Sequence, residues 1–264
     1  MAKSSNMISR LVVILPLLCA ALSAHAEEID QRREYASCMK EARATPQKGF
    51  DHSVTWLNLG GGDAARHCQA VALIGLGSTS EAASKLEELA QDTKSEPRFR
   101  AELFAQAAQA WMLAGNALRA EAVLTAAIKL DPSDMELRID RSQALAQRGD
   151  FSSAIEDLTT VLAVEPGKAE ALVFRASAYR QNGQTEAAAA DLTKVLSQNP
   201  GNPEAMLERG MLERMQGDDA AARRDWLAVI ERAPNTATAD TAADNIQLMD
   251  GNVTGAKRPQ AKGK

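Results

Sequence analysis

Aromatic side chains are scarce in this sequence of 264 residues, which contains five Phe, three Trp and two Tyr. β-Sheet proteins are enriched in aromatic and β-branched residues, so this scarcity argues against a β-sandwich. Alanine, the residue with the highest helix propensity, is abundant instead. The composition therefore predicts closely packed α-helices.

Long apolar runs are also missing, except for one at the N-terminus. Residues 11–22 are apolar and follow a basic segment, but about a dozen residues are too few to span a bilayer comfortably. The sequence Ala-His-Ala at 24–26 is typical of a signal peptidase site. We therefore predict a signal peptide over 1–26, a mature N-terminus at Glu27, a periplasmic location and no transmembrane segment in the mature chain. The alternatives are a retained membrane anchor and lipid attachment at Cys19.

The predicted mature chain has no excess of positive charge. Cleavage would remove two basic residues and no acidic ones, which leaves 28 basic against 35 acidic residues, a net charge of −7. This balance argues against nucleic acid as the main partner. Only Cys38 and Cys68 would remain, and an even pair of cysteines in an exported protein predicts one disulfide. This disulfide would close a loop of about 30 residues, which stabilises the fold by roughly 3 kcal/mol in the chain-entropy model.

Three residue types recur with a period of 34 residues. The recurring residues are Pro132, Pro166, Pro200 and Pro234, then Gly115, Gly149, Gly183 and Gly217, then Ala120, Ala154, Ala188 and Ala222. A glycine can take the left-handed conformation that ends a first helix, and a proline stops a second helix. The period predicts helical hairpins over 101–134, 135–168, 169–202 and 203–236.

This pattern resembles the tetratricopeptide repeat, whose unit keeps small residues at positions 8 and 20, a glycine near 15 and a proline at 32. Position 8 of the four units is occupied by Ala108, Ser142, Ala176 and Gly210. The resemblance implies an all-α, right-handed α-solenoid of helical hairpins whose first helices line a concave face. Glu213 departs from the pattern, because position 11 is normally a large packed residue. This charge predicts the end of the stack or a local packing compromise.

The flanking segments extend the helical pattern. Residues 63–100 read as a degenerate repeat, with Gly77, Ala82, Leu86 and Ala90 in its second half. Two helical stretches near 28–43 and 47–58 predict an N-terminal helical hairpin cap over 27–62. An apolar face after the last repeat predicts a C-terminal capping helix over 237–250, because an uncovered last repeat would expose its apolar side. The basic residues 251–264 predict a disordered tail.

Opposite charges occupy positions 7 and 23 of the last three repeats. The three pairs are Arg141 with Asp157, Arg175 with Asp191, and Arg209 with Asp225. Repeat 101–134 has Ala107 and Val123 at these positions, so the charges appear together and are lost together. We predict three structural ion pairs, because partly buried charges need partners.

Residues at the concave positions of the resembled repeat predict a partner-binding groove along the first helices of residues 101–236. Its apolar anchors would be Ile139, Val173, Phe174, Leu207 and Met211, and its acidic rim would be Glu136, Asp140, Glu170 and Glu208. This combination predicts a peptide or protein partner that is basic or amphipathic. An alternative role for the glutamates is to interact favourably with the helix dipole in the first turn.

Recognisable catalytic motifs are missing. The sequence has no HExxH, no Cys-x-x-Cys, no Gly-x-Ser-x-Gly and no phosphate-binding glycine loop. We therefore predict a non-catalytic scaffold without cofactor or metal, acting in envelope assembly or maintenance. The alternatives are a metal-binding or thiol-dependent enzyme centred on His52, His67 and Cys68, and an accessory subunit that orders only with an obligate partner.

Overall fold

The computed structural model describes residues 31–251, and these residues form thirteen α-helices and no β-strand. The predicted all-α class is therefore confirmed. The predicted signal peptide, the cleavage site before Glu27 and the basic tail after Gly251 lie outside the described residues. Among the described helices, none is both long and apolar enough to cross a membrane.

The helices divide into two compact units, with the boundary between Leu130 and Asp131. The N-terminal unit contains α1 (31–44), α2 (Pro46–Asn58), α3 (Gly62–Gly75), α4 (Thr79–Asp92), α5 (Pro97–Leu113) and α6 (Ala117–Leu130). The C-terminal unit contains α7 (Glu136–Gln147), α8 (Phe151–Val164), α9 (Ala169–Gln181), α10 (Thr185–Gln198), α11 (Pro203–Met215), α12 (Asp219–Arg232) and α13 (Ala237–Met249). Each unit is a row of helical hairpins.

The turn inside each of the four repeats is built around the recurring glycine. Gly149 has a φ of +79°, and its N–H donates to Ala146 O at 3.0 Å. The next N–H, of Asp150, donates to Leu145 O at 2.9 Å, which completes a Schellman cap. The carboxylate of Asp150 then accepts from the N–H of Ser153 at 3.2 Å and caps α8. One short segment therefore ends the first helix and begins the second.

The degenerate repeat uses the same turn. Gly77 has a φ of +80°, and the N–H of Ser78 donates to Leu73 O at 3.0 Å. The four residues that lengthen this unit belong to the following helix, because α5 begins at Pro97 rather than at Ala101. Proline suits the first turn of a helix, where an N–H has no intrahelical acceptor. The insertion therefore adds one turn to α5.

The core of the C-terminal unit lies between first and second helices. Leu158, Leu192 and Trp226 occupy equivalent places on the second helices and are at most 2 % exposed. Gly210 faces the largest of them, since a Cβ at this glycine would lie 2.5 Å from Nε1 of Trp226. The indole N–H donates to Leu207 O at 3.3 Å. The last repeat therefore accommodates a tryptophan because its position 8 has no side chain.

Helix α13 covers the end of this core. Ala239 and Ala242 are buried, and Ile246 and Met249 pack against the core cluster of the C-terminal unit. Helix α13 contacts both α11 and α12. The apolar side of the last hairpin is thereby removed from water.

A disulfide joins α1 to α3 in the N-terminal unit. The Cα atoms of Cys38 and Cys68 lie 6.1 Å apart, and both side chains are fully buried beside Trp56 and Ala65. Helix α2 approaches α1 closely at Gly49, where an added Cβ would lie 2.3 Å from Cα of Ala42. The three helices therefore form one small core that includes the sulfur bridge.

Candidate functional site

The three arginine–aspartate pairs predicted from the repeat are present between the two helices of each hairpin. Each arginine donates through Nε and Nη2 to both carboxylate oxygens, at 2.8 and 2.7 Å for Arg141, 2.8 and 2.9 Å for Arg175, and 2.6 and 2.8 Å for Arg209. The aspartates are buried, with 5 to 7 % of their surface exposed. Bidentate pairing satisfies these carboxylates and fixes the two helices of each hairpin in one register.

Two predicted groove anchors are core residues instead. Ile139 is 1 % exposed and Val173 is 6 % exposed, and both belong to the core cluster of the C-terminal unit. The prediction was wrong because each first helix packs against helices of the adjacent hairpins as well as against its own hairpin partner. Position 5 of these repeats, which Ile139 and Val173 occupy, therefore faces the core rather than solvent.

The other three anchors are half-buried. Phe174, Leu207 and Met211 pack against the core cluster while keeping part of their surface in solvent. They lie on α9 and α11, and α7, α9, α11 and α13 lie side by side as neighbours. We call this side of the C-terminal unit the first-helix face. Met215, further along α11, is 55 % exposed.

The predicted acidic rim is partly neutralised by pairs between neighbouring first helices. The ammonium of Lys168 contacts the carboxylate of Glu136. Arg180 Nε donates to Glu208 Oε2 at 3.0 Å, and only 12 and 15 % of these two side chains is exposed. Glu170 is exposed. Glu208 is therefore part of a nearly buried ion pair and is less available to a partner than the sequence suggested.

Asp140 also lies on this face, and no cation of the described residues forms an ion pair with it. It is half-buried, and burial is the largest cause that raises the pKa of its carboxyl, to about 6, followed by the charges of Glu136, Glu170 and Asp134. The ionised carboxylate is therefore held in an unfavourable environment at neutral pH. A cation beside it would relieve this cost.

A small cavity opens on the first-helix face between α7 and α9. It has a volume of about 150 Å³ and is lined by Ser142, Gln143, Ala146, Phe151, Ala154, Leu158, Phe174, Ser177, Ala178 and Gln181. Its base is apolar, while Gln143, Ser177 and Gln181 add amide and hydroxyl groups. We call it the α7–α9 pocket. An apolar side chain with hydrogen-bonding groups beside it fits this lining.

A second, more open cleft lies where α9, α11 and α13 meet. It has a volume of about 420 Å³ and is lined by Arg180, Met211, Arg214, Met215, Trp226, Asn245 and Leu248. We call it the C-terminal cleft. The cations of this cleft were not predicted from the sequence, although Arg180 and Arg214 lie one repeat apart, at position 12 of their repeats. Gln147 and Gln181 repeat in the same way at position 13.

The first-helix face is electrostatically asymmetric along its helices. Neighbouring first helices run in the same direction, because Lys168 at the start of α9 meets Glu136 at the start of α7. Asp140 and Glu170 lie toward the N-terminal ends of their helices, whereas Arg180 and Arg214 lie at the C-terminal ends of theirs. One edge of the face is therefore acidic and the other is basic.

The alternative centre at His52, His67 and Cys68 is not assembled. His52 lies between two carboxylates, with Nε2 at 2.7 Å from Glu34 and Nδ1 at 2.9 Å from Glu41. His67 instead contacts Tyr35 and Gln106, and Cys68 is bonded to Cys38. Across residues 31–251, no group of three or more His, Cys, Asp and Glu side chains is placed to hold a metal ion.

The pKa values of His52 and His67 are shifted in opposite directions. Burial lowers the pKa of His52, but hydrogen bonds to Glu41 and Glu34 outweigh it, so the pKa is raised above its usual value. Burial lowers the pKa of His67, and the hydrogen bond to Gln106 offsets this only in part. A neutral His67 accepts from the Tyr35 hydroxyl and donates to the Gln106 carbonyl. Both histidines therefore join helices of the N-terminal unit.

Comparisons with known proteins place the repeats in one family. The tetratricopeptide repeat model matches residues 107–175 and, in a second form, residues 175–237. No curated protein matches the chain.

Solved structures share the fold. The C-terminal part of a TPR repeat-containing protein from Cytophaga hutchinsonii is 15 % identical, with a TM-score of 0.60 over 84 % of this chain and 96 % of its own. MamA from Desulfovibrio magneticus RS-1 is 22 % identical, with a TM-score of 0.55 over 66 % of this chain and 97 % of its own. A tetratricopeptide repeat protein from Parabacteroides merdae is 16 % identical, with a TM-score of 0.59 over 79 % of this chain and 84 % of its own. The repeat models and the helical hairpins together show that this is a tetratricopeptide-repeat protein, with the family models covering residues 107–237.

Proposed function

We propose that this protein is an exported, periplasmic scaffold that binds a partner protein on the first-helix face of its C-terminal unit. The observation that carries the proposal is the α7–α9 pocket, where Phe174 and an apolar base lie beside Gln143, Ser177 and Gln181. Hot spots of protein interfaces are pockets of this kind, which take one apolar side chain and exclude water around it. The role would be in envelope assembly or maintenance.

Asp140 supports a cationic group on the same partner. Its carboxylate is half-buried near Glu136 and Glu170, and no cation among the described residues pairs with it. A lysine or arginine of the partner would relieve the repulsion and would set the orientation of binding. The bound segment would then be amphipathic, with its apolar residue in the pocket and its basic residue beside Asp140.

Export is supported by the predicted signal peptide and by the chemistry of the N-terminal unit. Disulfides persist mainly in oxidising compartments, and the Cys38–Cys68 bridge is buried within a core. An intact-mass measurement on protein recovered from the periplasm should give a chain that begins at Glu27. A mass that includes Met1, or a lipid on Cys19, would contradict the proposed processing.

The binding proposal is tested by filling the α7–α9 pocket. Ser177→Leu should occupy the cavity, because Ser177 lines it and is half-buried. Thr160→Leu introduces the same side chain at an exposed position of α8 and serves as the matched control. Crosslinking followed by affinity capture from the envelope fraction should recover the same partner with the wild type and the control. Loss of that partner from Ser177→Leu alone is expected, and equal recovery by all three proteins would refute the proposed site.

Phe174→Ala is a less decisive variant. Phe174 lines the pocket but also packs against the core cluster, so its truncation should lower both stability and affinity. Ser177 is the better probe because adding a side chain at its position removes no core contact.

A further inference from the structure

We infer that the C-terminal cleft is a second docking subsite, which takes an acidic side chain followed by a large apolar side chain of a partner protein. The inference rests on the proposed function, because it assigns a ligand chemistry to the opposite edge of the same first-helix face. Three observations carry it: an uncompensated arginine, two exposed apolar side chains and an amide without an acceptor.

Arg214 supplies the positive charge. Its Nη1 donates to the backbone O of Asn245 at 3.3 Å, and no carboxylate of the described residues pairs with it. Arg180, by contrast, is nearly buried and already bonded to Glu208. The cleft therefore has a net positive charge that comes from Arg214. A guanidinium with free donors binds a carboxylate in a planar, bidentate geometry.

Met215 and Leu248 supply the apolar wall. Each is 55 % exposed, they come from different helices, and both line the cleft above the buried Trp226. Met211 continues this surface, and its sulfur accepts from Arg180 Nη2 at 3.3 Å. Methionine side chains adapt their shape readily, which suits a surface that binds an apolar side chain.

Asn245 adds an unsatisfied donor. Its side-chain amide lines the cleft, and Nδ2 is buried without an acceptor among the described residues. An unpaired buried donor is costly, so a rotation of the amide that brings Nδ2 to an acceptor supplied by a ligand would be favourable. A carboxylate bound to Arg214 would lie beside this amide, because Arg214 already contacts the backbone of Asn245. The size of the cleft, about 420 Å³, is within the range of ligand pockets of about 300–1,000 Å³.

The subsite would give the partner a fixed direction. A segment crossing the first-helix face would place its basic residue at Asp140 and its acidic residue at Arg214. The reverse orientation would bring like charges together, which is unfavourable. Recognition would thus depend on the order of charges along the partner and on its apolar residues.

Designed peptides test the subsite with the full mature chain. Three fluorescent peptides share a Leu-containing sequence: one has an internal Glu and an amidated C-terminus, one has Lys in place of Glu, and one lacks the Glu but has a free C-terminal carboxylate. Fluorescence polarisation should show saturable binding of the Glu peptide. Arg214→Glu should weaken that binding by about tenfold or more, because it replaces an attraction with a repulsion. Met215→Ser should also weaken it.

The control is Arg232→Glu, a charge reversal at an exposed arginine of α12 outside the cleft. It should leave peptide binding unchanged, and thermal melting should show that the variants remain folded. Equal binding of the Glu and Lys peptides, tighter binding of the free-carboxylate peptide, or no effect of Arg214→Glu would overturn the inference. Partner capture that still depends on Ser177 would show, in those cases, that the proposed function survives without this subsite.

Discussion

Arg175 and Asp191 are joined across α9 and α10 by two hydrogen bonds, of 2.8 and 2.9 Å. The guanidinium also donates to Thr159 at 3.1 Å and lies 5.5 Å from the centre of the Tyr179 ring. Asp191 is 7 % exposed, so this pair is removed from most of the solvent. The same pair recurs in three successive hairpins and holds their helices in register.

Removing one member of this pair should destabilise the protein more than removing both. Arg175→Met leaves Asp191 buried without its partner, and we expect a loss on the order of 3 kcal/mol in the free energy of unfolding. The double variant Arg175→Met, Asp191→Leu should lose clearly less free energy of unfolding than Arg175→Met alone. Urea unfolding of the full cycle measures the coupling. The exposed pair Arg98 and Glu102, 3.7 Å apart, is the control and should show coupling below about 1 kcal/mol. Additive losses at Arg175 and Asp191 would contradict the structural role.

The disulfide should contribute a large part of the stability of the N-terminal unit. Cys38 and Cys68 are 30 residues apart, and opening that loop should cost about 3–4 kcal/mol in the chain-entropy model. Urea unfolding of Cys38→Ser, Cys68→Ser against the oxidised wild type measures the loss. Thiol titration of native, oxidised protein should find neither cysteine free, and two titratable thiols would disprove the bridge.

Asp140 should make the protein less stable as pH rises. The pKa of its carboxyl is raised to about 6 from 3.8, so the folded state holds its proton more tightly than the unfolded chain. The favourable contribution of the Asp140 carboxyl to the free energy of unfolding is complete below pH about 4 and is lost as pH rises through about 6. Asp140→Asn should therefore stabilise the protein at pH 7, by on the order of 1 kcal/mol after allowance for screening of a half-exposed group.

The pH dependence of the stability gain from Asp140→Asn distinguishes an electrostatic cause from improved packing. The gain from Asp140→Asn should vanish below pH 4 and shrink with added salt, because exposed acids contribute to the repulsion. Glu156→Gln, at an exposed position of α8, is the control and should change stability little at any pH. A pH-independent gain at Asp140, measured by urea unfolding, would contradict the electrostatic account.

The two histidines of the N-terminal unit should titrate on opposite sides of the usual value of 6.5. His52 lies between Glu34 and Glu41, so its stabilising contribution is present at acid pH and lost as pH rises through its raised pKa. His67 must stay neutral in its buried site, so stability is lost as pH falls through its lowered pKa. Proton NMR of the imidazole resonances as a function of pH measures both pKa values. The resonances are assigned with His52→Gln and His67→Gln. A higher pKa for His67 than for His52 would contradict these environments.

The sequence predicts the hairpins and their ion pairs well for a physical reason. Glycine turns and proline stops act locally, and the arginine and aspartate of each pair are 16 residues apart within one hairpin. A repeat fixes such short-range geometry. The contact of Arg180 with Glu208 joins different hairpins, at a separation of 28 residues, and Lys168, which precedes α9, contacts Glu136 at the start of α7, at a separation of 32 residues. These separations do not match the 34-residue register, so a comparison of equivalent positions does not find them.

Burial on the first-helix face was harder to predict for the same reason. Position 5 faces solvent in an isolated hairpin, but in the stacked repeats Ile139 and Val173 are buried in the core cluster of the C-terminal unit. The pockets depend on which side chains happen to be small, such as Ala146 and Ala178 beside Phe174. Such gaps are properties of packing between hairpins, which the repeat period does not encode.

The most direct test of the central claim is an equilibrium titration of the captured partner, purified, into wild type, Ser177→Leu and Thr160→Leu. If the partner inserts an apolar side chain into the α7–α9 pocket, Ser177→Leu should weaken binding by about tenfold or more, since hot-spot contacts contribute at least about 2 kcal/mol. Thr160→Leu should bind as the wild type does, and both variants should unfold at similar urea concentrations. Equal affinities for all three proteins would show that the partner binds elsewhere and would contradict the account.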